Sequence, residues 1–189
     1  MTLDVVYVSR TGNTAVLAEK IEDLVREMAG GRYEVRVRKL EDGAGEENWD
    51  CREEILAGRR IFAGFWADRG DCSKEMARFL ESLRDCTVFV FGTAGSDRPA
   101  YQGKVMARVL SHLDGSNRVP GTFMCQGKML PGVRRKYEAL AEKEPGNERV
   151  LDRIRNFDRA ETHPDQEDLR MLERAVRAAG EMFPEETEK

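Results

Sequence analysis

The run Ser9-Arg10-Thr11-Gly12-Asn13-Thr14 is the stretch of this chain best suited to chemistry. It joins a short apolar segment rich in β-branched residues to an amphipathic helical pattern, so the backbone N–H groups at the helix start point at whatever lies in front of them. The hydroxyls of Ser9, Thr11 and Thr14 add donors, Gly12 permits close backbone approach, and Asn13 offers an amide. Uncharged donors in this arrangement suit a phosphate monoester. The loop lacks the Gly-Lys-Ser/Thr ending of a Walker A loop and the three-glycine spacing of a dinucleotide fingerprint, which lowers nucleoside triphosphate and NAD readings. A plain strand-to-helix turn, capped by Thr or Asn, is the alternative.

Other reactive side chains form no comparable group. The four cysteines, Cys51, Cys72, Cys86 and Cys125, are too scattered for a zinc site or a disulfide scaffold, and free thiols in a reducing compartment are expected. Cys125 precedes Gln126, Gly127 and Lys128 in an expected core strand, where a buried inert thiol is favoured over a redox-active one. His112 near a helix end and His163 before Pro164 read as structural, and neither belongs to a triad or a metal cluster. No catalytic residue and no metal ligand is assigned.

The elements that position the loop alternate regularly. Strands are expected at residues 5–8, 33–40, 60–66, 87–91 and 119–125, and helices at 14–28, 73–83 and about 102–113. The second strand alternates Val35 and Val37 with Arg36 and Arg38, as near a sheet edge, whereas the third is almost wholly apolar and should be central. Gly92 is expected to end the fourth strand. Helical turn or loop is expected up to Gly58. Beyond the fifth strand come a helix at 131–143, a charged stretch at 144–161 and a final helix at about 165–182. The apolar Leu169, Leu172, Val176 and Met182 of that last helix would dock on the sheet or serve a dimer contact. Strands alternating with helices call for one doubly wound α/β domain, a five-stranded parallel sheet with helices on both faces.

The phosphate-loop residues together with this alternation resemble the flavodoxin family, whose signature after the first strand is Ser/Thr-x-Thr-Gly-Asn-Thr. The resemblance covers about residues 3–142 and leaves an extension from about 143 to 189 unexplained. It implies strand order 2-1-3-4-5, flavin mononucleotide (FMN) as cofactor, and a ligand site at the carboxyl ends of the strands, the placement long recognised for flavodoxin itself. It also implies that the flavin ring lies between the loops after the third and fourth strands. In the first of these, Phe65, Trp66, Ala67, Asp68, Arg69 and Gly70 are candidates. Trp66 would stack on the ring, with Phe65 as the core residue of the pair. Asp68 and Arg69 either pair with each other or touch the ring, and Gly64 or Gly70 would supply a mobile peptide carbonyl. In the second, Thr93, Ala94, Gly95 and Ser96 are small enough to bring backbone donors to the pyrimidine edge. This loop departs from the electron-carrier pattern of a stacking Tyr amid acidic residues, because it holds Arg98 and places Tyr101 later. The fifth strand has no insertion, as in short-chain members, and Lys128 beyond it meets an anionic group or is simply solvated.

Composition sets the remaining limits. With 31 basic and 35 acidic side chains, a net charge of −4 and 40% hydrophobic residues, the chain is expected to be globular and offers no basic stripe for nucleic acid. No stretch approaches the roughly 18 apolar residues of a membrane span, and no charged-then-apolar leader is apparent, so a cytoplasmic location is expected. The expected function is electron transfer from a reductase to a partner enzyme. The alternative is a self-contained FMN oxidoreductase acting on a quinone, tetrapyrrole or other conjugated small molecule. A scaffold without flavin is a third reading. Oligomeric state is left open.

Overall fold

A computed structural model describes residues 2–40 and 59–183. Its elements run β1 (Thr2–Tyr7), α1 (Asn13–Ala29), β2 (Glu34–Lys39), β3 (Arg60–Trp66), α2 (Lys74–Ser82), β4 (Thr87–Ala94), α3 (Pro99–Leu110), β5 (Arg118–Gln126), α4 (Pro131–Lys143), α5 (Glu148–Ala160) and α6 (Gln166–Ala178), with a 3₁₀ turn at Gly180–Met182. The strands form one sheet in the order β2-β1-β3-β4-β5, and every pairing is parallel. This is the doubly wound order expected from the resemblance. The crevice where strand order reverses lies between β1 and β3, at their carboxyl ends.

Alternation along the strands builds a core on each face. Leu3 and Val5 of β1, Phe62 of β3 and Phe89 and Phe91 of β4 pack under α1 and α6 with Leu17, Ile21, Leu172, Val176 and Met182. Their neighbours Val6, Ile61, Ala63, Phe65, Val88 and Val90 face the other way, onto Met76, Phe79 and Leu80 of α2 and Val105 and Val109 of α3. The last helix therefore docks on the sheet. Phe65 is fully buried here, as expected of the core member of its pair with Trp66.

Four expectations are corrected. β4 does not end at Gly92 but runs on to Ala94, because Gly92, Thr93 and Ala94 pair with Met124, Cys125 and Gln126 of β5. A side chain at Gly92 would meet the Phe65 ring at 2.6 Å, so the glycine serves close packing rather than termination. α3 begins at Pro99 rather than near Gln102, since proline is well suited to a first helical turn. The charged stretch at 144–161 contains α5, which Asn147 caps by accepting from the Arg149 N–H. The last helix ends at Ala178 and continues only as the 3₁₀ turn. The expected turn before Gly58 lies outside the described residues.

Gly64 is a second packing glycine, in the middle of β3. A Cβ there would lie 2.3 Å from Phe91 Cζ and 2.8 Å from Tyr7 Cβ. Overpacking of this kind costs about 1–3 kcal/mol, so Gly64→Ala should lower the urea midpoint of unfolding by a corresponding amount. An unchanged midpoint would show that the Phe91 ring yields freely.

Candidate functional site

α1 starts immediately beyond β1, and the connecting loop leaves its first turn open. The N-cap is Gly12 at φ 88°, a left-handed conformation that favours glycine, and it has no side chain to cap the helix. Ser9 Oγ accepts from the Ala15 N–H at 3.2 Å. Among the described residues, the N–H groups of Thr11, Gly12, Asn13 and Thr14 have no protein acceptor. These donors and the positive end of the helix dipole together form an anion cradle.

The side chains of the loop mostly hold it in place. Thr14, 1% exposed, directs its hydroxyl inward, donating to the Phe65 carbonyl at 3.3 Å and lying 3.2 Å from Thr93 Oγ1. It thus joins α1 to the ends of β3 and β4, with its hydroxyl engaged inside the protein. Asn13 Nδ2 donates to Thr11 Oγ1 and to the Lys128 carbonyl, both at 2.9 Å, so the expected free amide is engaged as well. Its approach is close, since a Cβ at Gly127 would lie 2.6 Å from Asn13 Nδ2.

The loop after β3 is a tight reversal. Asp68 and Asp71 exchange backbone bonds of 2.7 and 2.9 Å, and Arg69 and Gly70 both take positive φ, 51° and 91°. Two positive φ values are those of a type I′ turn, and a non-glycine residue there costs about 1–2 kcal/mol. No Asp68–Arg69 ion pair is present among the described residues. Gly70 therefore occupies the turn, whereas Gly64 lies within β3. Asp71 anchors the turn by accepting from the Cys72 N–H at 2.8 Å and from Arg108 Nε at 3.1 Å, with His112 Nε2 at 3.1 Å. His112 also meets Glu81 through Nδ1 at 2.9 Å.

A cavity of about 850 Å³ opens in front of these loops. Of the residues singled out from sequence, Arg10, Thr11, Asn13, Trp66, Ala67, Arg69, Thr93, Ala94, Gly95 and Ser96 line it. Ser9, Gly12, Thr14, Phe65, Asp68 and Gly70 are not among the side chains that line it. Trp66 carries the Arg10 guanidinium over its ring, 5.5 Å from the centroid. Lys128 and Tyr101 line the cavity too.

Sequence reasoning missed a further part of the lining. It comes from Val133 and Tyr137 of α4 and from Arg149, Asp152, Arg153 and Asn156 of α5. Asn156 Nδ2 donates to the Gly95 carbonyl at 2.7 Å, and Gln126 Nε2 donates to the same carbonyl and to Asn156 Oδ1, both at 3.2 Å. Asp152 pairs with Arg98, and Asp97 accepts from Arg159 Nε at 3.1 Å. α5 is thereby strapped across the loop after β4. The signal was present in Val150, Ile154 and Phe157, apolar at helical spacing behind a Pro-Gly-Asn turn, but charges outnumber them.

The buried cysteines are held as thiols. Burial, reinforced by Asp71, pushes the Cys72 thiol up to about 12, and burial also raises those of Cys86 and Cys125. Cys51 lies outside the described residues.

The residues present fit FMN. Two buried polar atoms of the lining have no protein partner among the described residues, the acceptor Asn13 Oδ1 and the donor Trp66 Nε1. A phosphate for the cradle, hydroxyls for Asn13 Oδ1 and carbonyls for N–H donors are all groups that FMN carries.

Comparison with known proteins points the same way. A flavodoxin domain model matches residues 4–177. Two proteins described as flavodoxin-like domain-containing protein BilS are similar. The one from Clostridioides difficile is 30% identical over 167 residues, covering 87% of this chain and 88% of the relative. The one from Clostridium symbiosum is 33% identical over 176 residues, covering 89% and 90%. A short-chain flavodoxin associated with a non-canonical PDU bacterial microcompartment shares the fold, with a TM-score of 0.53 at 15% identity, covering 97% of this chain and 99% of that one.

The turn after β3 should be sensitive to acid. Burial alone would raise the Asp71 carboxyl, but the bonds from the Cys72 N–H, His112 and Arg108 outweigh it and hold the group below its ordinary 3.8. A lowered folded value stabilises the fold above the unfolded value, and the contribution is lost as pH falls through the folded one. Asp71→Asn should therefore unfold less steeply than the wild type below about pH 4 in urea titrations. Parallel curves for the two proteins would show that these bonds contribute nothing.

Proposed function

We propose that this chain, which belongs to the flavodoxin family, binds FMN in the crevice at the carboxyl ends of its strands and carries electrons from a reductase to a partner enzyme. The observation that carries this reading is the open first turn of α1, with four N–H groups that have no protein acceptor among the described residues, held at the switch point of the sheet. Bound FMN would supply acceptance and release of electrons. The chain's own residues do the rest. The N–H groups of Thr11 to Thr14 bind the phosphate, and Ser9, Thr14 and Asn13 keep the loop shaped for it. Trp66 offers its ring to the flavin plane, and the N–H groups of Gly95 and Ser96, which have no protein acceptor among the described residues, face the pyrimidine edge. No helix among the described residues is long and apolar enough to cross a membrane. A cytoplasmic carrier serving soluble redox partners is in keeping with that.

One feature favours a second reading, in which the protein is itself an oxidoreductase acting on a conjugated small molecule. The wall supplied by α4 and α5 deepens the crevice beyond a shallow docking face, and 850 Å³ is near the upper end of small-molecule sites, roughly 300–1,000 Å³. Potentiometric titration of the FMN-loaded protein separates the two. Two resolved one-electron waves, with NAD(P)H oxidation only when a reductase is added, support the carrier. A single two-electron wave with direct NAD(P)H-dependent reduction of a small acceptor supports the enzyme.

The phosphate placement has its own test. Thr11→Ala combined with Asn13→Ala removes the bonds that shape the cradle and should weaken FMN binding by about 1–3 kcal/mol in a flavin fluorescence titration. Unchanged affinity would place the phosphate elsewhere.

A further inference from the structure

The cavity holds more positive charge than FMN calls for. Its described lining includes six basic side chains, Arg10, Arg69, Arg98, Lys128, Arg149 and Arg153, against one carboxylate, Asp152, which is already paired with Arg98. This is notable in a chain of net charge −4, whose other arginines are commonly matched with acids: Arg26 with Glu22, Arg134 with Glu138, Arg170 with Glu167, Arg177 with Glu173. Arg69, Arg149 and Arg153 have no carboxylate partner among the described residues.

Position divides these cations into two groups. Arg10 belongs to the phosphate loop and covers Trp66, and the Lys128 carbonyl is bonded to Asn13, so both stand on the phosphate side. Arg149 and Arg153 stand on α5, one helical turn apart, on the face that also carries Asp152 and Asn156, while Val150 and Phe157 are buried on the other. Arg153 lies over the Tyr137 ring at 5.9 Å. Arg69 lines the cavity from the turn after β3, kept in a left-handed conformation that an arginine rarely adopts. Tyr101 and Leu130, two of the larger exposed apolar side chains, line the same space.

Like charges gathered in a concave wall repel one another and raise its affinity for an anion, and the neighbouring aromatic and apolar surface gives such an anion a flat body to rest on. We infer that the cavity contains, beside the flavin, a second binding subsite for an organic anion with a flat apolar body, with Arg149 and Arg153 as its main anchors, Arg69 in the same lining and Tyr137 beside Arg153. This rests on the reading of the crevice as a flavin site, which fixes the first occupant.

Calorimetric titration of the FMN-loaded protein with a naphthalene dicarboxylate, and with its neutral dimethyl ester, tests the inference. The diacid should bind saturably, the ester about tenfold more weakly or worse, and added salt should weaken the diacid alone. Arg149→Gln together with Arg153→Gln, both at exposed positions, should lower diacid affinity about tenfold while FMN affinity and thermal melting stay as in the wild type. Absence of saturable diacid binding, equal binding of the ester, or full diacid affinity in the double variant would overturn the subsite. A variant that loses FMN instead would show that these arginines serve the flavin. Should the wild-type chain take up no FMN, the flavin reading fails, and the same titration of the flavin-free protein still decides whether the anion subsite exists.

Discussion

One buried hydroxyl fixes the geometry on which the rest depends. Thr14 Oγ1 bonds the Phe65 carbonyl at the end of β3 and lies against Thr93 Oγ1 near the end of β4, so the first turn of α1 cannot shift without breaking contacts to two central strands. With the helix start pinned there and no side-chain cap from Gly12, the N–H groups of Asn13 and Thr14 are left without a protein acceptor among the described residues. Backbone donors without protein acceptors, gathered at one helix start, make a place ready for an anion. Rigidity behind the loop and openness in front of it are two sides of one arrangement.

The second constraint lies on the far wall. Gly95, just beyond β4, presents a carbonyl that accepts from both Asn156 and Gln126, and the pairs Arg98–Asp152 and Arg159–Asp97 flank it. Individually, exposed ion pairs contribute little, but here they converge with a partly buried amide network on one short loop. The effect is to turn a polar face of α5 toward the cavity while its apolar face is buried. The crevice is therefore walled in part by the region that follows the five-strand core, which adds Arg149 and Arg153 to its lining.

Much of this was legible in the sequence, and the reasons for the rest are physical. The strand-loop-helix at residues 5–28, the apolar runs of β3 and β4 and the amphipathic faces of α1 and α2 follow directly from hydrophobic periodicity. Phosphate-loop residues announce themselves because so few types tolerate that backbone and supply those donors. Gly92 misled because a glycine read along one strand looks like punctuation, whereas its cause is the Phe65 ring on the neighbouring strand. Thr14 looked like a ligand donor because its hydroxyl direction depends on β3 and β4, far away in the chain. α5 was hidden by its own composition, since a helix whose second face lines a polar cavity carries charges where a core helix would carry apolar residues. Arg149 and Arg153 were invisible for the same reason.

The central claim is that the open turn of α1 and the loops after β3 and β4 form one flavin site. It is tested most directly by amide and indole chemical-shift mapping of the flavin-free protein as FMN is added. Large, saturable shifts at the N–H groups of Thr11 to Thr14, at Trp66 Nε1 and at Gly95 and Ser96 are the predicted result. Shifts confined to other parts of the molecule, with Thr11 to Thr14 unmoved, would contradict the account.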